Sequence, residues 1–166
     1  MTTAERHLRA AGLVAADGPD VVLELGCGNG TALALLAERL PQARLIGVDR
    51  SATALARAGR GLGKEVAAGR VTLLQSTVAE LDLPSASVDA AFAVDVNLFW
   101  TGAAVPELAA LRRVLRPGGA LHLVVAPPAP NSRVRVGMEG ALDGAGWRTT
   151  AVAERAGLVA VSARPG

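Results

Sequence analysis

Apolar residues in this chain fall into short β-prone runs, separated by longer stretches where they recur every three or four positions. Val21–Leu25, Ala43–Val48, Val71–Leu74, Val88–Val94 and Ala120–Val125 have the length and residue types of buried strands. Glu24 is the polar exception in the first run, Asp89 in the fourth and His122 in the fifth. Between them, Leu33, Leu36, Ala37 and Leu40 fall on one helical face. Ser51 is placed to cap a helix running to about Gly59 or Gly61. Leu108, Leu111 and Leu115 mark a helix from about Ala104. Val134, Met138 and Leu142 mark another, weakened by Gly137 and Gly140. Residues 4–14 predict a short helix anchored by Leu8 and by Ala11 or Leu13, ended by Gly18-Pro19-Asp20.

The connections are equally legible. Gly59, Gly61 and Gly63 predict a loose link, Asp82-Leu83-Pro84 a polar loop, and Asn97–Gly102 a loop after the fourth strand. Arg116-Pro117-Gly118-Gly119 predicts a hard helix stop, and Pro127-Pro128-Ala129-Pro130 a stiff loop. Trp147–Ala153 and Leu158–Ala163, separated by Glu154-Arg155-Ala156-Gly157, read as a terminal hairpin. Alternating strands and helices predict an α/β fold, a doubly wound, mostly parallel sheet closed by a C-terminal antiparallel hairpin. Ligands in such sheets bind at the carboxyl ends of the strands, where strand order reverses.

Composition narrows the class. At 166 residues, 51% hydrophobic and 19% charged, the chain is expected to form a single ordered domain, 1–166, with a short N-terminal helix. Aromatics are 2% and Tyr is absent, so the core must be built from Ala, Val and Leu. The net charge of +2 does not point to nucleic acid. Arg112, Arg113 and Arg116 cluster on one predicted helix, Arg133 and Arg135 on another. With no aromatics interleaved for base stacking, these read as solvated faces. A lone cysteine offers neither an internal disulfide nor a metal cluster, so no metal is expected. The start lacks a signal-like apolar run, and no stretch reaches the ~20 apolar residues of a membrane span, so a cytoplasmic location away from membranes is expected.

The chemistry concentrates at the end of the first strand. Gly26, Gly28 and Gly30 let the backbone turn sharply and approach a ligand without Cβ obstruction. The helix N-terminus that follows favours an anionic group. At the end of the second strand, Asp49 can accept hydrogen bonds from two neighbouring ribose hydroxyls, each worth about 1.5–3 kcal/mol. Together these features describe an adenosine-ligand site. Dinucleotide enzymes use G-x-G-x-x-G. Here the third glycine comes one residue early and Thr31 takes its place, while Glu24 suits an α-ammonium better than a pyrophosphate.

Leu23-Glu24-Leu25-Gly26-Cys27-Gly28-Asn29-Gly30 resembles the first motif of class I, Rossmann-like, S-adenosylmethionine-dependent methyltransferases. Leu45-Ile46-Gly47-Val48-Asp49-Arg50-Ser51 resembles the second motif. The structural segments Ser87-Val88-Asp89 and Leu111–Gly119 follow in the family's order, so the resemblance spans about Asp20 to Ala163. It implies a seven-stranded sheet that binds S-adenosylmethionine and releases S-adenosylhomocysteine. Glu24 would hold the methionine ammonium, directly or through water. The turn Gly26, Cys27, Gly28, Asn29 and Gly30 would pack against methionine and ribose, Asp49 would take the ribose diol, and Arg50 would lie against adenine. Where the family often has an acid for the adenine amino group, Gln75-Ser76-Thr77-Val78 stands, leaving Thr77 and the Val78 N–H for that role. Asp95 and Val96 would lie along the cofactor. Asn97, Phe99 and Trp100 would face the acceptor, with Phe99 alternatively in the core.

Methyl transfer from an activated sulfonium needs mainly alignment, and orientation supplies about 7–11 kcal/mol. The absence of an obvious acid–base pair therefore fits an enzyme; Asp95 and Trp100 are the only candidates for a catalytic part. Trp100 could attract the sulfonium by roughly 0.5–2 kcal/mol. Asp95 reads better as a cofactor-shell acid than as a base, and His122 sits mid-strand, away from the cleft. No (D/N)-P-P-(Y/F) follows the fourth strand, which argues against base or glutamine amino groups as acceptors. The expected activity is O- or N-methylation of a small molecule. With only about twenty residues before the first strand, the acceptor cleft is expected to be open or closed by a second subunit, as in a homodimer. The alternative is a non-catalytic module of the same fold that binds a partner.

Overall fold

The computed structural model describes residues 2–127, 132–155 and 157–166. In chain order the elements are α1 (Thr3–Ala15), β1 (Val21–Leu25), α2 (Thr31–Arg39), β2 (Arg44–Asp49), α3 (Ala52–Gly61), α4 (Gly63–Ala67) and β3 (Val71–Gln75). They continue as β4 (Val88–Val94), α5 (Leu98–Thr101), α6 (Val105–Val114), β5 (Leu115–Val125), α7 (Ser132–Gly144), β6 (Trp147–Arg155) and β7 (Leu158–Pro165). The strands form one seven-stranded sheet in the order β3-β2-β1-β4-β5-β7-β6. β1 to β5 are mutually parallel, and β7 runs against both its neighbours. The doubly wound α/β sheet with a terminal hairpin is the architecture the sequence pattern predicts. Strand order reverses between β1 and β4, which opens a crevice at their carboxyl ends.

Side chains alternate across the sheet into two apolar layers. Leu23, Leu25, Ala91, Leu121 and Leu123 pack under Leu108 and Leu111 of α6 and Met138 and Leu142 of α7. Val22, Leu45, Phe92 and Val124 pack under Ala10 and Val14 of α1 and Leu33 and Leu36 of α2. His122 belongs to the second face: it is buried, with Nδ1 2.8 Å from the Ser162 hydroxyl on β7. The crossover from β3 to β4 carries no helix. Its buried Val78 and Leu81 lie on the α6 side, and Arg113 of α6 donates to the carbonyls of Leu81 (2.5 Å) and Leu83 (2.6 Å).

Several boundaries differ from the sequence expectation. α1 starts on a capping box: Thr2 N–H donates to Glu5 Oε2 (2.7 Å) and Glu5 N–H to Thr2 Oγ1 (3.2 Å). The link after α3 is not loose but continues into α4. Leu62 is buried between the two helices and anchors them, overriding the glycines. Asn97–Gly102 is not a plain loop, since α5 folds there around buried Phe99. α6 ends at Val114, and Arg116–Gly119 lies inside the start of β5. A register shift opposite Val88 and Ala90 absorbs the glycine pair. β6 and β7 pair as far as Arg155 and Leu158, longer than expected. The stiff loop expected at Pro127–Pro130 falls, from residue 128 on, outside the described residues, as does Ala156 of the hairpin turn.

The glycines of α7 have distinct reasons. A Cβ on Gly137 would stand 2.7 Å from the Trp100 carbonyl oxygen and 3.1 Å from its Cβ, so the residue that weakens α7 is what lets α5 lie against it. Gly140 has open space around it. Gly137→Ala is therefore expected to destabilise by about 1–3 kcal/mol through overpacking. Gly140→Ala should instead stabilise by up to about 1 kcal/mol through helix propensity. Urea unfolding of the two variants checks the opposite signs.

Candidate functional site

β1 ends at Leu25, and the chain enters α2 through Gly26 (φ +65°) and Gly28 (φ +54°), a backbone path that only glycine follows cheaply. A Cβ on Gly26 would meet Val96 Cγ2 at 2.8 Å, while one on Gly28 would meet nothing within 4 Å. The turn is thus closed against the loop after β4 and open above Gly28. It is tied to β2 twice. The Cys27 N–H donates to the Val48 carbonyl (3.0 Å), and the Gly28 N–H donates to Asp49 Oδ2 (2.9 Å). The Ser51 N–H fixes the other oxygen of Asp49 at 2.8 Å. Held by these donors, the half-buried carboxylate keeps further lone pairs for a ligand diol.

A cavity of ≈ 370 Å³ opens beside Asp49. Gly26, Asp49 and Arg50 line one side, and Thr77, Val78, Val96 and Asn97 the other, so these predicted positions converge. Ser76, Leu98 and Glu107 also line it and were not anticipated. Glu107 sits in the first turn of α6, directly after Pro106; the apolar spacing of that helix drew attention to its buried face and away from this residue. Thr77, which stands where the family often has an acid, donates its hydroxyl to Glu80 Oε2 at 2.7 Å. A carboxylate is thereby brought to that corner from three residues along.

Glu24 lies beneath the turn rather than in the cavity wall. It is 2% exposed, on the α2 face of β1, and its Oε2 has no partner. Burial pushes its carboxyl well above the ordinary 4.5; a hydrogen bond from the Leu33 backbone N–H works against this, and the neighbouring charge of Asp49 adds to it. A cation placed beside a buried carboxyl with one oxygen unsatisfied would favour its charged form. The residues present therefore fit the aminoacyl and ribose ends of S-adenosylmethionine.

Other expected contacts do not reach the cleft. Cys27 is buried under the turn, its sulfur packed toward Gly47, and burial pushes its thiol up to about 12, so it is an inert filler. Gly30 is buried against α3 and α4: a Cβ there would strike Leu62 Cδ1 at 2.8 Å and Ala58 Cβ at 3.2 Å. Its role is close helix packing. Asn29 is exposed and accepts from the Thr31 hydroxyl (2.8 Å). Phe99 is 1% exposed and anchors α5 in the core, which corrects its placement on the acceptor side. Trp100 packs against α7 at Gly137, half-buried, and is not among the cavity's walls. Asp95, at φ +55°, accepts from the Ala126 N–H (2.9 Å) and pairs with Arg6 of α1 (2.7 Å). With both oxygens engaged, it holds α1 over the end of β4 rather than standing free as a base.

The buried carboxyl gives a prediction with two signs. Because the folded value is raised, the stability it carries is complete below pH 4.5 and is lost as pH rises through the raised value. Glu24→Gln, which removes that titration, is expected to make the ligand-free protein relatively more stable at pH 8 than at pH 5 in urea unfolding. The same variant should bind S-adenosylhomocysteine more weakly in calorimetry.

The family described as "Methyltransferase domain" matches residues 22–119. A trans-aconitate 2-methyltransferase of Azoarcus sp. (strain BH72) is 41% identical over 122 residues, covering 74% of this chain and 44% of that protein. Another, from Acidovorax sp. (strain JS42), is 38% identical over 103 residues, covering 62% and 37%. The chain thus spans about two fifths of the length of these curated relatives. Among solved structures, a SAM-dependent methyltransferase from Aquifex aeolicus superposes with a TM-score of 0.76 at 21% identity, over 98% of this chain and 93% of that one. A motif pair, a sheet order and a family match over more than half the chain agree: this protein belongs to the class I S-adenosylmethionine-dependent methyltransferases.

Proposed function

We propose that the chain binds S-adenosylmethionine across the tips of β1, β2 and β4 and methylates an oxygen or nitrogen of a small-molecule acceptor. The observation that carries this is the pairing of an open glycine turn with two carboxylates, one buried and incompletely satisfied, the other pre-oriented by two N–H donors. S-adenosylmethionine supplies a methyl group on a cationic sulfur, already activated for displacement. Everything asked of the protein is orientation. Glu24 receives the ammonium, Asp49 fixes the ribose, and the Val78 N–H with the Thr77–Glu80 pair addresses adenine. Val96 and Leu98 form an apolar wall that limits water.

A carboxylic acid is the acceptor class best supported. The curated relatives carry the name trans-aconitate 2-methyltransferase. In this chain Arg6 is held by Asp95 one residue from the cavity wall at Val96, a cation suited to steer an anionic acceptor. The helix that carries Arg6 covers the end of β4, so a second subunit is not required to bring a group there.

The test combines binding with turnover. Calorimetry with S-adenosylhomocysteine should show saturable binding that Asp49→Ala weakens about ten- to a hundredfold, for the loss of charge-assisted bonds worth about 1.5–3 kcal/mol each. Labelled methyl transfer should favour small di- and tricarboxylic acids over amines and phenols. Absent binding in a folded protein overturns the reading. Binding without transfer to any acceptor supports a cofactor-holding partner module instead.

A further inference from the structure

At the amino end of the sheet, opposite the cofactor cleft, a cavity of ≈ 450 Å³ is walled by five arginines: Arg112, Arg113, Arg116, Arg148 and Arg164. No carboxylate is among its lining residues. Arg112, Arg113 and Arg116 are rigidly placed. Arg112 donates to the Gly166 oxygen (3.0 Å) and to the carbonyls of Ala145 (3.0 Å) and Gly146 (2.7 Å), and stacks over the Trp147 ring at 5.8 Å. Arg113 is held by the carbonyls of Leu81 and Leu83. Arg116 reaches the Ala86 carbonyl (3.3 Å) and Asp89 (2.5 Å).

Backbone carbonyls orient Arg113 but do not neutralise it, while Asp89 offsets the charge of Arg116. Arg148 and Arg164 stand directly opposite each other on β6 and β7. Like charges facing across a strand pair repel. Neither side chain forms a hydrogen bond or ion pair among the described residues. Arg164 also borders the neighbouring cavity, where Asp17, Asp20 and Asp89 stand, so part of its charge is answered from that side. Arg148 and Arg113 have no such answer.

We propose that this arginine-walled cavity is a second binding site, for a small, multiply charged oxyanion such as a diphosphate or a polycarboxylate. Guanidinium groups pair with both chemistries through two parallel N–H donors. An anion seated between Arg148 and Arg164 converts their repulsion into a bridge across the terminal hairpin. The site lies apart from the glycine turn and uses no residue of it.

The test is calorimetry and thermal unfolding of the full chain at constant ionic strength, with inorganic pyrophosphate, citrate and chloride as separate arms. Pyrophosphate, citrate or both should bind saturably and raise the unfolding midpoint; whichever binds more tightly identifies the source of the oxyanion. The double variant Arg148→Ala/Arg164→Ala should weaken that binding at least tenfold while leaving S-adenosylhomocysteine binding unchanged. Asp49→Ala should leave oxyanion binding as it was. Equal binding by the double variant, or an effect no larger than chloride's, would each overturn the proposal. Should the double variant fold poorly, Arg148→Gln alone with the same ligand series decides the matter.

Discussion

The cofactor end of this molecule is organised by two carboxylates one strand apart, one of which is denied water. Glu24 is placed on the buried face of β1, where ionisation is costly, and Asp49 at the tip of β2, where backbone donors keep it in position. The Gly28 N–H makes the two interdependent, because the turn that follows Glu24 is fastened to Asp49. In the proposed mode of binding, a ligand carrying a positive charge and a diol answers both groups at once.

The scarcity of aromatic residues shapes how that end is supported. With Ala, Val and Leu filling both layers, contacts close only if the backbones come near, and glycines make room where side chains would collide. Gly30 admits α3 and α4, Gly47 accommodates the sulfur of Cys27 and a Leu33 methyl, and Gly137 admits α5. Of these only Gly137 lies within a helix, and there α7 has poor intrinsic propensity and relies on packing for its stability. Phe99 shows the same economy: one of four aromatics in the chain is spent on pinning a single helical turn beside the cleft.

Charge is unevenly placed around the sheet. Asp49 and Glu107 line the carboxyl-end cleft beside Arg50, while five arginines line one cavity at the amino end near β5, β6 and β7, next to Asp17, Asp20 and Asp89. The net charge of +2 conceals these local clusters, because opposite charges at separate places cancel in the sum but not in the local field. Arg112 and Arg113 also do structural duty there, tying the last residue and the helix-free crossover to α6.

The strands, the glycine turn and the carboxylates at 24 and 49 were legible in the sequence because each depends on local rules: strand-length apolar runs, a spacing of glycines, an acid at a strand end. What needed the tertiary structure were facts about which face of an element meets which neighbour. Phe99 and Trp100 stand side by side in a polar-flanked segment, and only the fold of α5 against α7 decides that neither joins the cavity wall. Asp95 reads as a cofactor-shell acid, and only the fold shows Arg6, nearly ninety residues earlier, holding it. Glu107 and Glu80 give no signal in a periodicity, since their relevance comes from where α6 and the crossover place them. Likewise Arg112, Arg113 and Arg116 read as a solvated helix face, and join Arg148 and Arg164 in one basic cavity because the antiparallel β7 returns the chain's end to the foot of α6.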